Sequence, residues 1–184
     1  MSEFKKTKIR KKIIKSRQLI KNRNLKENKI NEKLVQLINT NNIIVSAYFS
    51  INHEVNINNF TKYLLRENQR IVLPVIDKSN SHLLFKELRI NENLIPGKYG
   101  IMIPSNNIFL SPKILLIPMV AFDVEKNRLG YGGGYYDRTI SYLEKKSKIL
   151  KFGIAFDEQE TKKVPTLNFD KKMDLIVTQS RIII

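Results

Sequence analysis

A chain of 184 residues with 42% hydrophobic content is long enough for one buried core, so a single domain over 1–184 is expected. The absence of cysteine excludes disulfides, thiolate metal centres and a cysteine nucleophile; no apolar run is long enough to span a membrane or follows the basic N-terminus as a leader would, which leaves a soluble cytoplasmic protein as the expectation. The formal net charge of +16 would suit a nucleic-acid binder, but the lysines are scattered and accompany an excess of Asn and Ile, so it reads as compositional drift with part of the charge serving anionic ligands.

Residues 3 to about 23 have the pattern of a helix, with Ile9, Ile13 and Ile20 on one face and Lys5, Lys6, Lys8, Arg10, Lys11, Lys12 and Lys15 around the rest. Most of these cations form a solvated face; Lys6 and Arg10, four apart, project side by side and could grip a phosphate. A second helix is predicted from about 27 to 38, broken by Asn39-Thr-Asn-Asn42, and a buried strand over 43–49. The polar loop Ser50-Ile-Asn-His-Glu-Val55 then leaves the C-terminal end of that strand, the edge where open α/β sheets bind ligands. Glu54 is therefore a candidate for substrate contact, while His53 reads as a surface histidine.

Ile57, Phe60, Leu64 and Leu65 mark a third helix, and strands are predicted over 70–76 and 83–88. In Pro96-Gly-Lys-Tyr-Gly-Ile-Met-Ile-Pro104, Tyr99 is either a lid over a ligand or an anchor packed on the core, and the sequence favours the anchor. A short apolar strand over 113–118 leads to Asp123, read as a turn stabiliser. A glycine stretch follows, then a helix carrying Tyr136, Ile140 and Leu143, strands over 150–156 and 175–178, and a closing apolar run over 181–184. This alternation predicts an α/β fold: a three-layer, Rossmann-like domain with a largely parallel central sheet.

The stretch Asn127-Arg-Leu-Gly-Tyr-Gly-Gly-Gly-Tyr-Tyr-Asp-Arg138 holds four of the chain's seven glycines. Such clustering costs chain entropy unless the backbone needs positive φ or close approach to something. Amides without a Cβ in the way, opening onto a helix N-terminus, form a cradle for phosphate. A tight turn without a ligand is the plainer alternative. Against it stand Arg128, able to pair with phosphate, and Asp137, able to hold Mg2+ beside one. The G-x-G-x-x-G fingerprint and the P-loop both fail to fit these residues.

With Ile117-Pro-Met-Val-Ala-Phe-Asp123 ahead of it, this stretch resembles the signature of the 5-formyltetrahydrofolate cyclo-ligase family, also called 5,10-methenyltetrahydrofolate synthetase. The resemblance extends to Lys6-Thr-Lys-Ile-Arg10, the loop 50–55, Lys98-Tyr-Gly-Ile101 and Met173-Asp174. It implies an ATP- and Mg2+-dependent cyclisation of 5-formyltetrahydrofolate to the methenyl form, through phosphorylation of the formyl oxygen and attack by the neighbouring aniline nitrogen. It implies that Lys6 and Arg10 contact ATP phosphates. Arg128, Leu129, Gly130, Tyr131, Gly132, Gly133, Gly134, Tyr135 and Tyr136 would wrap the nucleotide, with Arg128 and Tyr136 acting in catalysis. Ile51, Glu54, Tyr99 and Tyr135 would meet the folate, Glu54 bridging two pterin donors, and Asp137 and Asp174 would serve the metal. The positive charge would suit a polyglutamylated substrate, and a monomer without membrane partners is expected. Three positions depart from the pattern: Gly133 stands where many members carry lysine, Asn52 where glutamine is common, and His53 where an acidic residue is common. Two rival readings are a nucleic-acid protein, which would show exposed aromatics among its lysines, and a sugar-phosphate or CoA enzyme on a similar scaffold, which would act without ATP.

Overall fold

The computed structural model describes residues 2–38 and 43–184; the predicted helix break at 39–42 lies outside them. Helices α1 (Ser2–Gln18) and α2 (Arg23–Leu37) precede β1 (Val45–Ser46), α3 (Asn58–Arg66), β2 (Ile71–Val75) and β3 (Leu84–Leu88). A hairpin of β4 (Leu94–Pro96) and β5 (Met102–Pro104) follows, then β6 (Ile114–Pro118) and a second hairpin, β7 (Ala121–Phe122) with β8 (Arg128–Leu129). The chain closes with α4 (Tyr135–Glu144), β9 (Leu150–Ile154), β10 (Leu175–Val177) and β11 (Ile182–Ile183).

Seven strands form the main sheet in the order β11-β10-β9-β6-β1-β2-β3. The five inner strands are parallel, and β3 and β11 are antiparallel edges. Within β6 the side chains alternate between two cores. Ile114 and Leu116 join the cluster under α2 and α3, built with Ile30, Leu34, Phe60 and Leu64, whereas Leu115 and Ile117 join Ile140 and Leu143 of α4 on the opposite face. A period of two between helical layers is what a central strand requires, so the predicted three-layer arrangement is observed.

The chain runs from β1 outward to β2 and later returns to place β6 on the other side of β1. That is a topological switch point, and in open α/β sheets the crevice beyond the strand C-termini there receives ligands. The loop after β1 carries Glu54, and the segment after β6 carries the glycines.

Several elements differ from the sequence expectation. The first helix stops at Gln18; a turn intervenes, with Asn22 in the left-handed region (φ 52°), and the second helix starts at Arg23. Only Val45 and Ser46 of the 43–49 run pair as strand. The hairpin of β7 and β8 separates β6 from the glycines, and α1 packs on it through Ile13, which meets Val120, Ala121 and Leu129. Asp123 stabilises the hairpin turn, as expected, and does more. Its buried carboxylate accepts the Asn127 N–H (3.0 Å) and, from a distant loop, the Val164 N–H (2.8 Å).

Losing that carboxylate strands buried donors on two segments. Asp123→Ala should therefore cost roughly 2–4 kcal/mol of stability, measured as a lower urea midpoint at unchanged slope; a loss inside ordinary surface variation would contradict the assignment.

Candidate active site

A cavity of about 610 Å³ opens at this switch point. Its walls come from α1 (Lys6, Arg10), the loop after β1 (Ile51, Glu54), the hairpin tip (Tyr99), the segment 128–137 and Asp170. Of the residues proposed from sequence, all but Asp174 line it.

Two glycines carry the shape of the phosphate cradle. Gly132 (φ 105°) and Gly134 (φ 65°) adopt backbone conformations that L-residues rarely enter. Among the described residues, the backbone N–H groups of Gly132, Gly133 and Gly134 have no acceptor within the protein. Gly134 is the N-cap of α4 and offers no side-chain cap, so the first-turn amides of that helix are open as well. Arg138 holds the loop from outside, donating to the Gly133 carbonyl (2.7 Å) and to the Ser81 carbonyl (3.0 Å). At Gly133, where the resemblance leads one to expect lysine, the Tyr135 ring lies 3.0 Å from the position a Cβ would take, so a side chain there would have to displace the ring.

Arg128 is buried on β8 with Nη2 2.7 Å from Asp137 Oδ1. The contact is an ion pair by distance but is not aligned as a hydrogen bond, and among the described residues both Nε and Nη2 lack a hydrogen-bond partner. A buried guanidinium with unused donors beside unpaired amides is an anion site in waiting. Lys6, also buried, pairs with Asp170 Oδ2 (2.6 Å), and Arg10 donates through Nε to the Gly130 carbonyl (2.9 Å) while pairing with Glu3 (2.7 Å). Lys6 and Arg10 thus face the cavity together, as their spacing predicted. Leu129 is buried in β8 and contributes an apolar patch of wall.

On the opposite wall Asn52 and His53 form a left-handed turn (φ 47° and 61°) that folds Glu54 back so that its Oε2 accepts the Ile51 N–H (3.0 Å). His53 itself is exposed, as predicted. Burial pushes the Glu54 carboxyl up from 4.5 to about 7, against the Ile51 N–H and the Arg17 charge, which hold it down. Tyr136 is raised well above the usual phenol range, chiefly by burial and then by Glu54, so its hydroxyl stays a proton donor.

Three expectations need correction or addition. Tyr99 is not a core anchor. It is 73% exposed at the hairpin tip, in a left-handed conformation (φ 58°), and lines the cavity together with Tyr135. Asp174 does not reach the cavity. It stands at the N-terminal start of β10, where its carboxylate accepts the Lys151 N–H (2.7 Å) and pairs with Lys151 Nζ (3.5 Å), and in a parallel sheet that is the edge opposite the cavity. The carboxylate that does reach it is Asp170, four residues earlier in the loop after Pro165. The Lys171 N–H donates to Asp137 Oδ1 (3.0 Å), which sets Asp137 beside the Asp170 segment. Arg17, buried under the site, also escaped the sequence reading, because a basic residue in a lysine-rich helix gives no sign of burial.

The family model for the 5-formyltetrahydrofolate cyclo-ligase family matches residues 2–179. A 5-formyltetrahydrofolate cyclo-ligase of Haemophilus influenzae is 32% identical over 140 residues, covering 72% of this chain and 74% of that protein. Among solved structures, a 5,10-methenyltetrahydrofolate synthetase of Aquifex aeolicus superposes with a TM-score of 0.81 at 28% identity, covering 96% of this chain and 91% of its own. One from Mycoplasma pneumoniae superposes with a TM-score of 0.74 at 26% identity, covering 95% and 98%.

The Glu54 shift carries a stability consequence. A carboxyl raised on folding favours the native state below 4.5, and that advantage is lost as pH rises through about 7. Glu54→Gln should therefore unfold like the parent at pH 4 but be more stable by about 2–3 kcal/mol at pH 8, as read by urea denaturation at both pH values. Equal stability at pH 8 would contradict the burial argument.

Proposed function

The chain belongs to the 5-formyltetrahydrofolate cyclo-ligase family, whose reaction is the ATP-dependent cyclisation of 5-formyltetrahydrofolate, and from that premise we propose how its cavity performs the reaction. The triphosphate lies on the Gly132, Gly133 and Gly134 amides and the N-terminus of α4, and the pterin meets Glu54 across the cavity. The observation that carries this reading is the set of unused donors on one wall, the loop amides with Arg128 Nε and Nη2, facing a cavity of about 610 Å³ with a buried carboxylate on its other wall.

The formyl oxygen is an amide oxygen and leaves poorly. Once it takes the terminal phosphoryl group of ATP and ADP departs, the formyl carbon is activated. The neighbouring aniline nitrogen adds to that carbon, loses its proton, and phosphate leaves with the former formyl oxygen. No protein nucleophile is needed, so positioning and charge neutralisation supply the rate. Arg128 turns its free donors to the phosphoryl oxygens, and Lys6 and Arg10 meet the rest of the triphosphate. The Tyr136 hydroxyl, kept protonated by burial, donates to the charge that develops during transfer. Ionised Glu54 accepts from two pterin donors, and Tyr99 and Tyr135 cover the folate at the mouth.

Asp137 and Asp170 fit Mg2+. Both are hard oxygen donors on the cavity wall, linked through the Lys171 N–H. Among the described residues no group of three or more His, Cys, Asp or Glu is arranged to hold a metal. That suits an ion bound by two carboxylates plus substrate phosphates. When bound, Mg2+ neutralises phosphate charge as a Lewis acid. Binding exchanges partners: phosphates take Arg128 and Lys6, and the carboxylates those cations held are released. Lys98 at the mouth gives a polyglutamate tail a cation to follow. Among the described residues no helix is long and apolar enough to cross a membrane.

The test is an absorbance assay for the methenyl product with ATP, Mg2+ and 5-formyltetrahydrofolate omitted in turn. ATP should be consumed only when the formyl-folate is present. Arg128→Ala and Asp137→Asn should each lower turnover by about a hundredfold or more, assayed at a temperature where circular dichroism shows the variant folded. Near-normal turnover in both variants, or ATP hydrolysis without folate, would contradict the reading.

A further inference from the structure

Arg17, in the last turn of α1, has 1% of its surface exposed. Every hydrogen bond it makes goes to a neutral acceptor on a different segment. Nη1 donates to the Met119 carbonyl beyond β6 (3.1 Å), and Nη2 donates to the Asn52 carbonyl in the loop after β1 (2.6 Å) and to the Tyr131 hydroxyl in the glycine loop. Among the described residues its Nε has no partner, and its guanidinium lies 5.8 Å from the Tyr131 ring centroid. A desolvated cation whose hydrogen bonds go only to carbonyls and a phenol is costly, and a lysine-rich helix had many cheaper residues to offer at this position. What the arrangement provides is a tie between the two loops that face each other across the cavity.

We propose that Arg17 is a positioning residue for the reaction, clamping the folate-facing turn at Asn52 to the glycine loop at Tyr131 and supplying the buried positive charge that keeps the Glu54 carboxylate ready for the pterin. The inference rests on the reading that Glu54 takes the pterin. Glu54 lies two residues beyond the Asn52 carbonyl that Arg17 holds. The groups that face Glu54 are Arg17 from α1, Tyr131 from the glycine loop, Tyr136 from α4 and Tyr48 from the segment just after β1. Arg17 is the cation among them, and the Tyr131 hydroxyl, like Arg17, favours the ionised carboxyl. Through Arg17 the Tyr131 hydroxyl is tied to the Asn52 carbonyl, so nucleotide phosphates that fix the glycine loop also steady the turn that carries Glu54. The two substrates should then bind with positive coupling through this contact, each tightening the other.

The experiment compares the full chain with its Arg17→Met and Tyr131→Phe variants. The Glu54 titration is followed in the ligand-free protein by carboxyl carbon-13 NMR, assigned with Glu54→Gln, and 5-formyltetrahydrofolate affinity is measured across pH. In the parent the titration and the rise in affinity should coincide near 7. In Arg17→Met both should move to the alkaline side by about one pH unit, with folate affinity at neutral pH down about fivefold and ATP affinity changed less. Tyr131→Phe should move them the same way by less and reduce the coupling between the substrates; because it deletes a single oxygen, it tests the proposal even where Arg17→Met fails to fold. A Glu54 titration unmoved in the variants, however far turnover falls, would overturn the proposal and leave Arg17 a structural pillar. A titration that moves while folate affinity ignores pH would support the hold of Arg17 on Glu54 and overturn instead the reading that Glu54 takes the pterin.

Discussion

The site depends on positive potential that the protein gathers and leaves under-satisfied. Among the described residues, Arg128 is buried with two donors unused, and the amides of Gly132, Gly133 and Gly134 have no acceptor. Lys6 and Arg128 are held in check by Asp170 and Asp137, one carboxylate each. A buried cation without its partner is strongly unfavourable, so these carboxylates keep the empty site folded. A polyphosphate satisfies the same donors better, with more oxygens and more charge, and frees the carboxylates for a divalent ion. One set of groups thereby explains both how the free protein tolerates such a cavity and why it would close on a nucleotide.

The rest of the fold holds these groups in place. β6 and its neighbours, packed between α2 and α3 on one face and α4 on the other, fix the ends from which the loops emerge. α1 does not join either main core; it packs on the hairpin of β7 and β8 and so carries Lys6 and Arg10 to the cavity and Arg17 beneath it. Asp123 closes the hairpin turn and binds the loop that leads toward Asp170. On the far wall, the desolvated Glu54 gives up folding stability at neutral and alkaline pH in favour of a carboxylate presented in a dry pocket, a common exchange at functional sites.

The elements with long, regular patterns were readable from the sequence: the helices over the sheet, the strand after Lys113 and the glycine turn opening a helix. The pairs β4 with β5 and β7 with β8 were not, because strands of two or three residues have no period to detect. The break after Gln18 was hidden because its turn uses Asn22 in a left-handed conformation rather than a glycine or proline. Within the site, residue type and spacing pointed to Lys6, Arg10 and the glycine loop. They could not separate Asp170 from Asp174, since both are acids near a strand and only the direction of β10 decides which end of the sheet each occupies. Tyr99 read as an anchor because an aromatic between turn residues usually packs inward, whereas the small hairpin holds it out over the cavity mouth.

The most direct measurement is a crystal structure with a non-hydrolysable ATP analogue and magnesium. The account predicts the triphosphate seated on the Gly132, Gly133 and Gly134 amides, Arg128 turned from Asp137 to a phosphate oxygen, and the ion between Asp137 and Asp170. A triphosphate bound elsewhere, or bound there with the Arg128–Asp137 pair intact, would contradict it.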